Sequence, residues 1–300
     1  MRVKIGPLTL KNPVMPASGT FGYGDEYLPL FDPHSLGAIV TKSLSLEPRQ
    51  GNPPPRLYEL QGGLINSVGL QNIGLEAFSK EKLPTLRGMK VPIIVSFFGL
   101  NPEEYIRCAE RLSTLEGIAA LEANLSCPNV RGMIMGSDPK EVLAITQGVK
   151  AHCPLPLLVK LPPDPFHIGE LALAAQQGGA DGLTLVNTLP ALVIDLEERK
   201  PFLGGGVGGM SGPVLKPVAL KIVWEVSQRV KIPIIGVGGI RNWRDALEFI
   251  LAGATAIQVG TATFSNPYAL PQILEGIKVY LKERGIEKIE ELRGKLEMKG

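Results

Sequence analysis

The stretch PIIVSFFGLNPEEYIRCAERLSTLEGIAALEAN, residues 92–124, contains a strand, a helix and a second strand in succession. Residues 92–96 are mostly apolar and β-branched, which is typical of a buried strand, and a helical pattern then covers residues 102–115. Residues 119–124 form the next apolar strand. Strands that are apolar on both faces and alternate with helices predict a parallel sheet covered by helices.

The same unit repeats along the chain. Eight strands are predicted to begin near residues 14, 38, 92, 119, 157, 182, 232 and 255. Helices are predicted over residues 102–115, 138–149, 168–177, 213–230, 243–252 and 268–285. The number of units, and the lack of an early G-x-G-x-x-G motif, favour an α/β fold of the (β/α)8 TIM-barrel type over an open doubly wound sheet.

Three further segments complete the predicted architecture. Residues 3–13 alternate around Gly6-Pro7 and predict an N-terminal β-hairpin. Residues 47–71 are rich in Pro and Gly and are expected to form a long functional loop with little secondary structure. Residues 128–139 are expected to form a lid loop over the active site. No domain boundary is visible, so residues 1–300 are predicted to form one domain.

The composition is that of an ordinary globular protein. Hydrophobic residues make up 44% of the chain, charged residues 20%, and the formal net charge is +2. With so small a charge and no clustered basic tract, nucleic acid is not expected as the main partner. The N-terminus lacks an apolar signal segment, and no window approaches the ~20 apolar residues that cross a bilayer. We therefore predict a cytoplasmic protein without a membrane partner.

Cysteine and histidine are too few and too scattered for a disulfide framework or a zinc site, so no metal is predicted. The cysteines are at positions 108, 127 and 153, and the histidines at 34, 152 and 167. Cys127 differs from the other cysteines because it lies between Ser126 and Pro128, where a strand gives way to a loop. It is a candidate reactive thiol, with a buried inert cysteine as the alternative.

Polar residues and glycines recur at the predicted carboxyl ends of the strands, which converge on one mouth of such a barrel. The set is Ser18, Lys42, Ser43, Ser96, Asn124, Cys127, Lys160, Asn187, Thr188, Gly238, Gly239, Gly260 and Thr261. Gly238-Gly239 and Gly260-Thr261 end the last two strands, and Gly212 closes another glycine run. A tight turn explains any one of these, but together they predict a phosphate-bearing cofactor.

Two lysines and four asparagines are further candidates for binding a ligand. Lys42 and Lys160 end apolar strands, so each is expected to be paired or to bind an anion, with a snorkelling surface lysine as the alternative. The asparagines offer donors and acceptors for amide or imide edges of a ligand, although each alone would be a turn or cap residue. They are Asn66, Asn124, Asn129 and Asn187.

These motifs resemble the dihydroorotate dehydrogenases, specifically the class 1B catalytic subunits, over nearly the whole chain. The segments that carry the resemblance are residues 17–22, 41–43, 66–72, 124–130, 186–188, 208–217, 236–240 and 259–262. The Asn-Leu-Ser-Cys-Pro-Asn segment alone is shared with dihydropyrimidine dehydrogenases. The loop 130–139 and the ending 260–267 are similar to the 1B form rather than the fumarate-using 1A form.

The resemblance implies FMN as cofactor and the oxidation of dihydroorotate to orotate in pyrimidine synthesis. Class 1 enzymes use a cysteine base, which would be Cys127. The resemblance to class 1B implies a homodimer with an iron–sulfur and FAD-containing partner subunit, which together form a heterotetramer and pass electrons to NAD.

The family's site residues carry over motif by motif. FMN would be held by Ser18, Lys42, Ser43, Ser96, Asn124, Lys160, Val186, Gly212, Gly238, Gly239, Gly260 and Thr261. The substrate would be held by Lys42, Asn66, Val68, Gly69, Leu70, Asn124, Asn129, Asn187 and Thr188. The chain departs from the family at Val95-Ser96-Phe97, where an Ala-Asn-Val segment is usual, and at residues 161–164, where Ser-Pro-Asn often follows the lysine.

Four other functions are weighed against this one. Another flavin-dependent pyrimidine reductase would share FMN and the cysteine, and a substrate-reduction screen separates it. A cysteine hydrolase would need a histidine base beside Cys127, and no histidine ends a strand at the mouth. A non-catalytic scaffold would show no flavin spectrum. A dihydrouridine synthase would want a basic face for RNA.

Overall fold

Eight parallel strands form the centre of the structure, a computed structural model that describes residues 1–126 and 135–297. Other, shorter strands lie outside this central sheet. Numbered in chain order, all strands of the described residues are β1 (Val3–Ile5), β2 (Leu8–Leu10), β3 (Val14–Pro16), β4 (Ile39–Val40), β5 (Leu57–Leu60), β6 (Gly63–Asn66), β7 (Ile93–Phe97), β8 (Ile118–Asn124), β9 (Leu157–Leu161), β10 (Gly182–Leu185), β11 (Leu189–Ala191), β12 (Ile194–Asp195), β13 (Lys200–Pro201), β14 (Gly208–Ser211), β15 (Ile234–Val237) and β16 (Ala256–Val259).

The helices lie between these strands. They are α1 (Gly74–Ala77), α2 (Leu83–Gly88), α3 (Pro102–Ser113), α4 (Pro139–His152), α5 (Ile168–Gln177), α6 (Lys216–Ser227), α7 (Trp243–Leu251), α8 (Ala262–Ser265) and α9 (Ala269–Glu283). A π-helical turn, Phe78–Lys82, joins α1 to α2. Short 3-10 turns occur at Asp25–Tyr27, Pro33–Ser35, Met135–Ser137, Pro213–Leu215 and Ile289–Leu292.

The large sheet has the strand order β3-β16-β15-β10-β9-β8-β7-β4, and all of its pairs are parallel. The two end strands approach each other where the Gly37 N–H, just before β4, donates to the Val14 carbonyl of β3 at 2.9 Å. The sheet is therefore nearly closed. This confirms the predicted (β/α)8 barrel, and the pairing of β1 with β2 confirms the N-terminal hairpin.

The barrel forms because its strands are apolar on both sides. All five residues of β7 and all five of β9 are buried, as strands between a filled barrel and a helical layer must be. Helices α3, α4 and α7 each start after a capping side chain. Asn101, for example, accepts the Glu104 N–H at 2.9 Å and Pro102 follows at the first helical position of α3.

The prediction for residues 47–71 was wrong in one respect. That segment contains the β5–β6 hairpin, which joins β14 and β11 in a second, antiparallel sheet of order β11-β14-β6-β5. Its pairing partner is distant in sequence and rich in glycine, so no local pattern indicates it. At Gly208 a Cβ would lie 2.6 Å from the Ile65 side chain, which shows how closely the two backbones approach.

Other differences concern element ends. The helix predicted over 213–230 begins with the 3-10 turn Pro213–Leu215 and continues as α6 only to Ser227. Residues 74–88 form α1, a π-helical turn and α2, although their sequence shows no clear period. Within the described ranges no helix is both long and apolar enough to cross a membrane.

Candidate active site

Four of the predicted site residues form a chain of hydrogen bonds across the strand ends. The Ser43 and Ser96 hydroxyls lie 2.8 Å apart, Asn124 Nδ2 donates to Ser43 Oγ at 3.3 Å, and Asn187 Nδ2 donates to Asn124 Oδ1 at 3.1 Å. The residues come from the ends of β4, β7, β8 and β10. The barrel therefore brings them together as the strand-end argument predicts.

Asn124 is held from its backbone as well as from its side chain. The Tyr105 hydroxyl, fully buried on α3, donates to the Asn124 carbonyl at 2.7 Å. The next residue, Leu125, donates its N–H to the Lys160 carbonyl at 3.0 Å. These bonds fix the end of β8, and with it the direction of the Asn124 amide.

Lys160 points into the barrel mouth from β9. Its side chain is 4% exposed, and Nζ donates to Ser18 Oγ at 3.2 Å. The fully buried Glu122 carboxylate lies 3.9 Å from Nζ. Burial lowers the pKa of Lys160, and the charge of Glu122 acts in the opposite direction. This is a buried amine with polar partners, not a snorkelling lysine.

Lys42, the second predicted lysine, is only partly buried. Burial lowers its pKa most, the positive charge of Arg56 lowers it further, and the carboxylate of Glu26 opposes both. Its backbone N–H donates to the Gly22 carbonyl at 2.8 Å, which ties the loop after β3 to the end of β4. The neighbouring charge of Arg56 makes this region positive, and an anionic ligand would offset the repulsion between the two side chains.

The glycines at the ends of β14 and β15 meet. Gly212, Gly238 and Gly239 have φ values of 94°, 123° and 77°, in the region that favours glycine. A Cβ on Gly239 would lie 2.9 Å from the Gly212 carbonyl oxygen and 2.7 Å from the Lys216 backbone nitrogen, at the start of α6. Any side chain at Gly239 would therefore clash with these backbone atoms.

Gly260 and Thr261 lie beside this cradle at the end of β16, the strand paired with β15. The Thr261 hydroxyl donates to Ser211 Oγ at 2.8 Å, which connects β16 to the residue before Gly212. Helix α8 starts directly afterwards, at Ala262. The two glycine-containing ends predicted to form a phosphate site are thus neighbours, as such sites in barrels require.

The segment 66–72 reaches the site through the second sheet. Asn66 Nδ2 donates to the Gly209 carbonyl at 3.1 Å. Gly69 and Leu70 have φ values of 72° and 58°, so Val68–Leu70 turns sharply. The turn is anchored by Asn72, a buried residue that bonds Ser45, Gly74 and Leu70.

Residues 186–188 connect β10 to that same sheet. The Val186 N–H donates to the Val237 carbonyl at 3.0 Å, and Thr188 N–H donates to Asn187 Oδ1 at 2.7 Å. Thr188 directly precedes β11, which pairs with β14. The second sheet therefore connects three sets of predicted residues. They are the glycine cradle, the amide pair of Asn124 and Asn187, and the segment 66–72.

The predicted base Cys127, the substrate residue Asn129 and most of the predicted lid 128–139 lie outside the described residues. The other two cysteines are free and buried. Burial raises the pKa of Cys108 to about 12 and also raises that of Cys153. Neither is suited to act as a thiolate at neutral pH. Among residues 1–126 and 135–297 no cluster of His, Cys, Asp or Glu could hold a metal ion.

Two residues that support the site were not predicted from the sequence. Glu122 lies inside β8, with its carboxylate bonded by Thr184 and Gln258. An acidic residue within the apolar run 118–124 was the available signal. Asn72 was within a quoted motif, but nothing local indicates that its amide bonds Ser45, 27 residues away.

Comparisons with known proteins identify the family of this chain. A sequence model of the family described as "Dihydroorotate dehydrogenase" matches residues 1–281. A protein of Trichlorobacter lovleyi is 52% identical over 299 residues, covering 99% of this chain and 98% of its own. One of Thermodesulfovibrio yellowstonii is 54% identical over 296 residues, covering 98% of each. One of Desulforamulus reducens is 52% identical over 296 residues, covering 98% of this chain and 97% of its own.

All three relatives are named "Dihydroorotate dehydrogenase B (NAD(+)), catalytic subunit". The family match spans residues 1–281, and the three relatives each cover 98% or more of this chain. The chain belongs to the dihydroorotate dehydrogenase family.

Proposed function

We propose that this chain is the catalytic subunit of a class 1B dihydroorotate dehydrogenase, which oxidises dihydroorotate to orotate in pyrimidine synthesis. The observation that carries the proposal is the position of Asn124. It bonds Ser43, expected at the flavin, and Asn187, expected at the substrate. One amide thereby connects the two halves of a site in which a flavin and a pyrimidine must lie against each other. The names of the relatives support the same reaction.

The family is flavin-dependent, and the donor set here fits FMN in particular. The cradle at Gly212, Gly238 and Gly239, with Gly260 beside it, suits one phosphate monoester, because a Cβ on Gly239 would close it. Lys160 and Ser18 offer donors for the electron-rich edge of the ring system. Ser43, with Ser96 behind it, and Asn124 line the neighbouring strand ends; Lys42, Val186, Gly238 and Thr261 complete the expected contacts.

The substrate would lie between the amide pair and the segment 66–72. Asn66, Asn124, Asn129 and Asn187 would read its amide and imide edges, and Lys42 would meet its carboxylate. The turn Val68–Leu70 and Thr188 would offer further backbone and hydroxyl contacts.

The reaction removes a hydride from C6 and a proton from C5 of dihydroorotate. FMN, when bound, supplies the hydride acceptor. Cys127 would take the C5 proton as general base. Asn124 and Asn187 would orient the ring so that both bonds to hydrogen face their acceptors, and the lid 128–139 would exclude water.

Electron transfer to NAD would require a second subunit, as the phrase "catalytic subunit" in the relatives' names implies for those proteins. We infer a homodimer of this chain with two iron–sulfur and FAD-containing partners, a cytoplasmic heterotetramer. No metal is expected in this chain itself.

An absorbance spectrum of the purified chain, followed by anaerobic addition of dihydroorotate, tests the proposal. We expect a flavin spectrum that bleaches, extracted flavin that is FMN, and orotate as product. Rapid reoxidation by fumarate without a partner would contradict class 1B, and the absence of flavin would contradict the activity. A dihydropyrimidine that bleaches the flavin faster than dihydroorotate would favour a related pyrimidine reductase.

A further inference from the structure

A carboxylate lies inside the barrel below the mouth. Glu122, in the middle of β8, is fully buried. Its Oε2 accepts a hydrogen bond from Thr184 Oγ1 of β10 at 3.0 Å and another from Gln258 Nε2 of β16 at 2.6 Å. Donors from two other strands therefore fix the carboxylate in one orientation.

That orientation leaves the other oxygen directed at a cation. Within the described residues Glu122 Oε1 accepts no hydrogen bond, and it lies 3.9 Å from Lys160 Nζ. A buried carboxylate without a compensating charge is strongly unfavourable, and so is a buried ammonium. Each group therefore offsets the cost of burying the other.

The other neighbours of Lys160 cannot take over this role. Ser18, from the loop after β3, accepts a hydrogen bond from Lys160 and is uncharged. Thr184 from β10 and Gln258 from β16, which bond Glu122, are uncharged as well. Lys42, the other cation of the site, responds to Arg56 and Glu26. Burial lowers the pKa of Lys160, and the charge that raises it is that of Glu122.

We propose that Glu122 is a positioning residue that keeps Lys160 protonated and holds its ammonium group toward the flavin. The inference rests on the proposed FMN site. Thr184 and Gln258 act one step further away, because they orient the carboxylate. Without Glu122 the buried lysine would lose its proton as the pH rises, and the flavin would lose a charged contact.

The FMN dissociation constant of the apoprotein, measured by the quenching of flavin fluorescence, tests the role of Glu122 directly. Between about pH 7 and about pH 9, where a phosphate monoester is already ionised, we expect the wild-type dissociation constant to change less than about threefold. In Glu122→Gln we expect it to rise about tenfold or more over the same interval, because each pH unit above the lysine pKa reduces the charged form about tenfold.

Two variants separate this effect from a general disturbance. Thr184→Val removes a hydrogen bond from Glu122 but not its charge, so we expect the wild-type pH profile. Glu122→Gln/Lys160→Gln has no buried charge to titrate, so its binding should be weaker but independent of pH. A profile of Glu122→Gln that parallels the wild type, or a slope that persists in the double variant, would overturn the proposal.

Should Glu122→Gln yield little folded protein, the double variant decides. Neutralising both partners leaves no unpaired buried charge, so Lys160→Gln should restore folding, measured as Tm. A double variant less stable than Glu122→Gln would contradict the pairing. Failure of the wild-type apoprotein to bind FMN at any pH would instead remove the proposed cofactor, and this inference with it.

Discussion

Asn187 donates a hydrogen bond from its side-chain amide to Oδ1 of Asn124, across 3.1 Å and between the ends of two strands of the barrel. Asn124 uses its own Nδ2 toward Ser43, and Asn187 uses its Oδ1 toward the Thr188 N–H. Both amides are thereby fixed in direction. A pyrimidine between them would meet a preorganised pattern of donors and acceptors.

The first prediction concerns this pair. Replacing Asn187 by Ala or Asp removes one donor to Asn124 and so loosens that amide, which still bonds Ser43 and the Ser126 N–H. We expect kcat/KM for dihydroorotate to fall about 100-fold in both variants, with FMN retained, as for other lost orienting groups. Stopped-flow measurement of flavin reduction by dihydroorotate would show this loss of rate. Near-normal rates in Asn187→Asp, which has the same shape but no amide donor, would contradict the role of the hydrogen bond.

A second prediction concerns the glycine cradle. Gly239→Ala places a Cβ 2.9 Å from the Gly212 carbonyl oxygen, in a residue with φ of 77°. We expect the FMN dissociation constant to rise about tenfold or more, because one displaced charge-assisted contact is worth about 1.5–3 kcal/mol. Titration of the apoprotein with FMN gives the value.

Gly285→Ala is the matched control for that variant. Gly285 has a φ of 65°, but a Cβ there meets nothing within 4 Å. Both variants carry the left-handed strain of about 1–2 kcal/mol, seen as a lower Tm. Only Gly239→Ala should weaken FMN binding, and equal affinities in the two variants would exclude the cradle as the phosphate site.

Much of this arrangement could be predicted because it depends on local signals. Strands such as β7 and β9 are apolar throughout, and caps such as Asn101 mark helix starts, so the order of the units leads to a barrel. The barrel then determines that strand ends meet. The convergence of Ser43, Asn124 and Asn187 follows from topology without any knowledge of their contacts.

What could not be predicted depends on pairing between distant segments. The second sheet joins β6 to β14, about 140 residues later, and hydrogen bonding between glycine-rich backbones leaves little trace in side-chain patterns. Glu122 is a similar case. An acidic residue within an apolar strand needs hydrogen-bond donors. That these donors are Thr184 and Gln258 could be identified only from the closed barrel.

The third prediction follows from Lys42. Burial and Arg56 lower the pKa of Lys42, so its ammonium form is present below that pKa and is lost as the pH rises through it. If Lys42 meets the substrate carboxylate, KM for dihydroorotate should rise on the alkaline side, earlier than for an ordinary lysine. Lys42→Arg stays charged because arginine does not titrate there. The alkaline rise in KM should therefore disappear, and its persistence would contradict the assignment.

The fourth prediction concerns Asn72, which anchors the turn Val68–Leu70. Asn72→Ala leaves buried donors and acceptors around Ser45 without partners, at a cost of about 1–3 kcal/mol in the free energy of unfolding. We expect a lower Tm, and a KM for dihydroorotate raised about tenfold because the turn Val68–Leu70 loses its anchor. A tenfold change corresponds to about 1.4 kcal/mol of binding. FMN should be retained.

Asn12→Ala is the control for Asn72→Ala. Asn12 is as buried as Asn72 and bonds Ser35 and Val14, but it precedes β3, at the opposite end of the barrel from the mouth. Its loss should lower the Tm without changing KM. A rise of KM in both variants would mean that the effect reports lost stability and not a displaced turn.

The last prediction concerns the base. Cys127→Ala should leave FMN bound and the protein yellow, while flavin reduction by dihydroorotate slows about 10²–10⁴-fold, the range that general bases contribute. In the wild type the rate should rise with pH, since a thiol with a pKa of about 8.5 is mostly protonated at neutral pH. Cys108→Ala and Cys153→Ala, at buried thiols with raised pKa values, should keep both the rate and its pH dependence. Fast reduction in Cys127→Ala would show that another group takes the C5 proton, whereas a slow but pH-independent reduction is what loss of the titrating base requires.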